Sequence, residues 1–307
     1  MSHSLQGVLA QFFYDSRLRE VSAHTLKAYK LDLADFAKHM VEERERGGEN
    51  APEDQESLFE EVVNCTSVDL RRYKTYLTQK KLSTAARRFA SLRKFLSWAH
   101  AKELRRKVLP EFPKLRSEQK LAPRWLTKNQ VHTLLKKAEK RDHTTSLRNM
   151  VMIKLLINTG LRVSELVSLT WDEITLKRYD GFLQVLGGKG NKDRIVPLNA
   201  NIRTLLEKYR NSRKNSDKNL DYLFYGGRGR LNSDAVLRMF YSLNKELDFK
   251  VTPHNLRHTF CKSLLDKGVP ASEIATLAGH SSLNTTQKYI TPSLADVTKS
   301  VEKLNEW

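Results

Sequence analysis

The stretch from Thr252 to His280 leaves its backbone few options. Thr252 can cap a helix whose first position is Pro253, where the missing N–H costs nothing. Lys267-Gly268 is a helix stop, Pro270 opens a shorter helix, and Gly279 ends it. His254 and Arg257 then lie one turn apart on one helical face, His280 follows the second stop directly, and Tyr289 comes nine residues later. A guanidinium, two imidazoles and a phenol brought together suit phosphoryl chemistry: arginine clamps phosphate oxygens, imidazole moves protons, and the phenol attacks.

Taken singly, each residue has an ordinary reading. A His-x-x-Arg is commonly a solvated helix face, and a tyrosine after a lysine is commonly a half-buried core aromatic. His254, His258 and Cys261 at i, i+4 and i+7 raise a zinc reading. Arg257 would set a positive charge beside the cation, and no His-Glu-x-x-His or Cys-x-x-Cys accompanies it, so that reading loses. The phosphoryl reading gains from a distant arginine, Arg162, within Asn158-Thr-Gly-Leu-Arg-Val-Ser-Glu-Leu166.

Charge narrows the partner. Lys+Arg exceeds Asp+Glu by 54 to 35, a formal +19 with a pI near 9.8, which calls for nucleic acid or an anionic membrane surface. No apolar run approaches the roughly 20 residues that span a bilayer, and the N-terminus lacks a signal-peptide core, so the membrane reading loses. Cys65 and Cys261 form no disulfide framework and suit a reducing cytoplasm, and 307 residues suggest two domains.

Taken in order, Leu5 to Arg19 reads as an amphipathic helix with Val8, Leu9, Phe12 and Phe13 inward, and Ser22 as the cap of a longer one carrying Leu26, Tyr29, Leu33, Phe36 and Met40. Residues 42–61 hold nine acidic and two basic residues, a net of −7 that leaves +26 on the rest; they read as a mobile surface loop facing away from a polyanion. Ser67 and Ser83 read as caps of two further helices. On the second, Arg87, Arg88, Arg93 and Lys94 flank an apolar face and read as a contact to DNA backbone. Pro110, Pro113 and Pro123 mark an extended basic linker, and Thr127 to Gln130 is a capping box. Met150 to Ile157 reads as a buried helix stopped by Gly160, with Arg162 starting the next helix near its positive end. Strands at 182–186 and 194–198 are joined by Gly187 to Asp193, with Lys189 at the tip; the full phosphate-loop pattern is missing, and a solvated hairpin lysine is the plain alternative.

Gly160-Leu-Arg-Val-Ser-Glu-Leu166, Gly187-Gly-Lys-Gly-Asn-Lys-Asp-Arg194, His254-Asn-Leu-Arg-His-Thr-Phe260, Ala278-Gly-His-Ser-Ser282 and Tyr289, in this order and spacing, resemble the tyrosine site-specific recombinase (phage integrase) family, of the simple Xer-like kind without an arm-binding domain. Thr25, Tyr29, Leu33 and Phe36 match the opening pattern of its core-binding domain. The resemblance implies a mainly α chain with a small β-sheet hairpin in the C-terminal domain, built as a two-domain C-shaped clamp. A helical, SAM-like core-binding domain would occupy 1–109, a linker 110–124, and the catalytic domain with its tail helix 125–307. The implied activity is cleavage and rejoining of DNA through a covalent 3′-phosphotyrosine, with no ATP, metal or other cofactor. The role would be chromosome dimer resolution, or resolution or integration of a mobile element.

The resemblance also assigns roles. Tyr289 attacks a backbone phosphodiester, Arg162 and Arg257 neutralise the non-bridging oxygens, and His280 donates a further hydrogen bond. His254 accepts the tyrosine proton, and Lys189 protonates the leaving oxygen, with Lys192 as rival if the register shifts by a turn. Glu165 orients Arg162 or is a plain i, i+3 pair. Implied partners are a double-stranded recombination site and a homotetramer on two such sites, with no membrane; whether an accessory protein is required is left open by the sequence. The tail stripe Leu294, Val297, Val301 and Leu304 would dock on a neighbouring subunit or on its own domain. Departures are small: Asn255 stands where Asp is common, and Ile290-Thr291 follows the tyrosine where a His is often near. A DNA-binding protein with a decayed site is disfavoured because every expected catalytic residue is present. A metal-dependent nuclease would need chelator-sensitive activity. A type IB topoisomerase shares the chemistry, but the core-binding helices and short length argue against it.

Overall fold

The computed structural model describes residues 5–15, 21, 23–48, 54–115, 124–139, 143–186, 193–212, 221–227 and 229–280. Ser22, Lys189, Lys192, Tyr289 and the tail stripe from Leu294 to Leu304 lie outside them. The chain is mainly helical with small antiparallel sheets, and divides into two compact units, 1–120 and 121–307.

The first unit is built of α1 (Leu5–Tyr14), α2 (Ala23–Arg46), α3 (Gln55–Val63), α4 (Ser67–Tyr76), a 3₁₀ turn at Leu77–Gln79, and α5 (Leu82–Ala101). Helix α1 carries Val8 and Phe12 into the core over Leu5–Tyr14; residues 16–19 of the helix expected from sequence lie outside the described residues. Phe12 meets the rings of Phe95 and Trp98 edge-on at 5.3 and 5.2 Å. The expected acidic loop is largely helix: α2 runs on to Arg46, and Asp54 caps α3 by accepting from the backbone N–H of Glu56 and Ser57. Phe59, Val62 and Val63 of α3 are buried, and an apolar stripe of this kind outweighs the surrounding charge in deciding structure. The cap of α4 is Thr66, paired in a capping box with Asp69, and not Ser67; Ser83 lies inside α5, whose preceding residue Lys81 makes no side-chain cap.

On the basic face of α5, Arg87, Arg93 and Lys94 are exposed and Arg88 is half-buried, and two of the four pair with carboxylates of α2. Arg87 donates to Asp32 at 2.6 Å and Arg88 to Asp35 at 2.5 Å, while Ser91 and Tyr73 give those carboxylates hydroxyl donors at 2.7 Å. Arg93 lies over the Phe112 ring and Lys94 over Tyr29. Asp32 is only 3% exposed, so its pairing answers the cost of burying a carboxylate. After α5, Arg105 is buried and donates to the carbonyls of Val63, Cys65 and Val108, and Phe112 and Leu115 pack on the unit's core.

The second unit centres on α7 (His143–Thr159), with Val151, Met152, Ile153, Leu155 and Leu156 buried. Before it runs α6 (Lys128–Glu139), opened by the Thr127–Gln130 capping box; after it come α8 (Val163–Ser168) and a sheet of β1 (Ile174–Leu176), β2 (Gly181–Val185) and β3 (Arg194–Pro197) in antiparallel order. Strand β1 was not expected from sequence. In β3, Arg194 and Val196 face inward and Ile195 outward, with Arg194 opposite Val185. There follow α9 (Ala200–Ser212), a two-residue pair β4 (Tyr225–Gly226) and β5 (Gly229–Arg230), α10 (Ser233–Asn244), α11 (Pro253–Leu265) and α12 (Ala271–Ala278). Thr252 and Asn255 form the capping box of α11 with Pro253 at its start. The chain approaching α6 is fastened to α11: Asn255 Nδ2 donates to the Arg124 carbonyl at 2.8 Å, and the Leu126 N–H donates to Thr259 Oγ1 at 2.9 Å.

Candidate active site

Two glycine stops shape the site. Helix α7 ends at Gly160 and α12 at Gly279, both left-handed with φ of 63° and 64°. Beyond the backbone conformation, neither position has room for a side chain: a Cβ on Gly160 would lie 2.4 Å from the Phe260 ring, and one on Gly279 2.8 Å from Arg194 Nη1. A helix end leaves its last carbonyls without helical partners. Here arginines take them. Leu277 O accepts from Arg194 Nε at 2.9 Å, Ala278 O from Arg257 Nη2, and Gly279 O from Arg162 Nη2 at 2.7 Å. Arg257, only 3% exposed, also reaches the other stop and donates to Gly160 O at 2.5 Å.

One carboxylate holds the cluster together. Glu165 Oε1 accepts from Arg162 Nη1 at 2.7 Å and Arg194 Nη1 at 3.1 Å; Oε2 accepts from Arg194 Nη2 at 2.7 Å and the Arg162 backbone N–H at 2.8 Å. Burial alone would raise the Glu165 pKa, but the bonds from Arg194 and Arg162 overcome it and hold the group down to about 2. Arg257 is lowered to about 10, by burial first and then by the charge of Arg162, and so stays charged at neutral pH. His280 is lowered to about 4, by burial and then by Arg257, Arg162 and Arg194, so it is a neutral imidazole.

Of the six residues singled out in the sequence, Arg162, Arg257 and His280 are brought together here through the turn 278–280. His254 lies one turn before Arg257 at the exposed start of α11, its ring 4.1 Å from that of His258. Lys189 and Tyr289 are outside the described residues. Among the described residues no group of three His, Cys, Asp or Glu side chains could hold a metal, and Cys261 is fully buried. The residue that sequence reading missed is Arg194. Its signal was the alternation of β3, which aligns it with inward-facing Val196.

A guanidinium carries five N–H donors. Arg162 and Arg257 each commit two side-chain nitrogens to described acceptors, which holds both guanidiniums at the turn 278–280; Arg162 is the more exposed of the two. The cluster is a cationic cradle beside a neutral imidazole, the kind of donor set that can take the oxygens of a phosphate.

The pKa shifts make stability depend on pH. Between about 6.5 and about 4 the unfolded chain protonates His280 while the folded site does not, and between about 4.5 and about 2 the same holds for Glu165. Both groups therefore stabilise the fold above the unfolded-state value and lose that contribution as pH falls. Calorimetry of the ligand-free protein should show the wild type losing more thermal midpoint between pH 7 and pH 5 than His280→Asn does. Parallel curves for the two proteins would contradict the assignment.

The phage integrase family model matches residues 124–295, more than half of the chain, and the phage integrase N-terminal SAM-like domain matches residues 10–103. Tyrosine recombinase XerD of Oceanobacillus iheyensis is 31% identical over 299 residues, covering 93% of each chain. Tyrosine recombinase XerC of Pelobacter propionicus is 35% identical over 283 residues, 90% of this chain and 87% of its own. Among solved structures, the XerH site-specific recombinase in a post-cleavage complex with difH shares the fold, with a TM-score of 0.74 at 21% identity, over 98% of this chain and 84% of that one. The chain belongs to the phage integrase family as an Xer-type tyrosine recombinase, an enzyme that cleaves and rejoins DNA.

Proposed function

We propose that the cradle of Arg162, Arg257 and His280 binds one backbone phosphodiester of a double-stranded recombination site in the cytoplasm, and that Tyr289 attacks it. The observation that carries this reading is the convergence of both arginines and the imidazole on the turn 278–280, nine residues before the tyrosine. Attack forms a 3′-phosphotyrosine and releases a 5′-hydroxyl; reversal with a different 5′-hydroxyl rejoins the strand, so the phosphodiester bond energy is conserved. His254, at the exposed start of α11, accepts the phenol proton, since a phenol of pKa about 10 attacks poorly while protonated. Neutral His280 donates to a non-bridging oxygen, and Lys189 protonates the leaving oxygen. The biological role is chromosome dimer resolution, or resolution or integration of a mobile element. Two bound sites are paired by a homotetramer.

Tyr289→Phe removes one hydroxyl and should leave DNA affinity nearly unchanged. A suicide substrate, nicked near the cleavage point, should trap wild-type protein on DNA and leave the variant unattached. Adduct formation by the variant would transfer the nucleophile elsewhere.

For Lys189 the leaving group itself is the probe. Loss of a general acid costs roughly 10²- to 10⁴-fold on ordinary DNA. A 5′-bridging phosphorothioate expels a thiolate, which needs no proton. Lys189→Ala should therefore be slow on the oxygen substrate and largely restored on sulfur; restoration with Lys192→Ala in its place would move the role to Lys192.

The tail stripe Leu294, Val297, Val301 and Leu304 supplies the contact between subunits in this reading, a head-to-tail exchange that closes into a ring. Truncation after Thr291 should preserve binding to a single site and abolish pairing of two sites, as read by native gels. Normal pairing by the truncated chain would reject exchange between subunits.

A further inference from the structure

We propose that Arg194 is a positioning residue for strand cleavage: by clamping Glu165 and gripping the Leu277 carbonyl, it fixes both the Arg162 guanidinium and the turn that carries His280. The inference rests on the recombinase reading above and adds to it a residue whose donors all point into the protein.

Arg194 occupies an inward position of β3, opposite Val185 and aligned with Val196, and its side chain is 6% exposed. A cation at such a position is costly unless every donor nitrogen finds an acceptor. All three do: Nη1 and Nη2 go to the two oxygens of Glu165, and Nε goes to Leu277 O. That arrangement commits the guanidinium to the scaffold and sets it apart from Arg162 and Arg257.

Its effect on Arg162 passes through Glu165. An i, i+3 pair such as Arg162–Glu165 at a surface contributes little on its own. Here the carboxylate is 8% exposed and pinned from the opposite side by Arg194, so its orientation is no longer free. Among the described residues, the charges acting on Glu165 and His280 include those of Arg162, Arg194, Arg257 and His254. Without Arg194, Glu165 would be a buried carboxyl with Arg162 as its remaining bonded partner, and would take up a proton far more readily. Protonation would remove the negative charge that holds the Arg162 guanidinium. The missing side chain of Gly279 is a separate sign of the same fit: a Cβ there would lie 2.8, 3.0 and 3.1 Å from three atoms of the Arg194 side chain.

The test is single-turnover adduct formation on a suicide duplex by the full-length wild type, Arg194→Lys, Arg194→Gln, Glu165→Gln and the double variant Arg194→Gln/Glu165→Gln, with DNA affinity and calorimetric midpoint measured for each. Arg194→Gln should slow adduct formation roughly tenfold to a hundredfold, the range seen when a residue that orients a metal-binding side chain is lost, with little change in affinity. Its deficit relative to wild type should widen from about pH 7.5 to about pH 5.5, as Glu165 begins to protonate. Arg194→Lys should recover part of the rate, since it keeps the charge but not the fork of donors. The double variant should be no slower than Glu165→Gln alone.

An unchanged rate in Arg194→Gln overturns the proposal, as do a deficit independent of pH and effects that multiply in the double variant. Loss of fold in every Arg194 variant, lysine included, also overturns it, because a purely structural anchor predicts that result. Failure of the wild type to form an adduct would instead strike at the recombinase reading.

Discussion

Three guanidiniums packed against one helix end repel one another, and the site exists because the end of α12 and a single carboxylate offset that repulsion. Leu277, Ala278 and Gly279 present successive carbonyls to Arg194, Arg257 and Arg162. Carbonyl dipoles at a helix C-terminus favour cations, and they do so without introducing a full negative charge that would compete with a phosphate. Glu165 supplies the only described carboxylate bonded to Arg162 and Arg194. The balance leaves a net positive cradle whose guanidiniums are each held by backbone carbonyls, and two of them by Glu165 as well.

The first unit uses the same device for a different end. Asp32 and Asp35 on α2 engage Arg87 and Arg88 on α5, and Tyr73 and Ser91 fill the remaining acceptor positions. Two of the four basic residues that look from sequence like a DNA-facing row therefore hold helices together. Part of the formal charge is thus balanced by carboxylates of the same unit, while Arg87 stays about half exposed.

How much was legible in the sequence follows the range of each interaction. The caps and stops around Thr252, Pro253, Gly160 and Gly279 depend on neighbours within a few residues, and they lie where the sequence places them. So does the hairpin pairing of β2 with β3. The helix Gln55–Val63 was hidden because nine acidic residues drew attention from the spacing of Leu58, Phe59, Val62 and Val63. Arg194 was hidden for a deeper reason: its partners lie 29 and 83 residues away, and nothing local distinguishes a buried strand arginine from an exposed one. The pairing of Arg87 with Asp32, 55 residues apart, escaped in the same way.

The amide of Asn255 has a mechanical consequence. Its oxygen serves the cap of α11, and its nitrogen donates to the Arg124 carbonyl, a bond that an aspartate could not make. With the Leu126 N–H bonded to Thr259 as well, the chain ahead of α6 is stitched at two points to the first two turns of α11. The start of this segment, at Arg124 and Leu126, is thus held directly to the helix that carries His254 and Arg257.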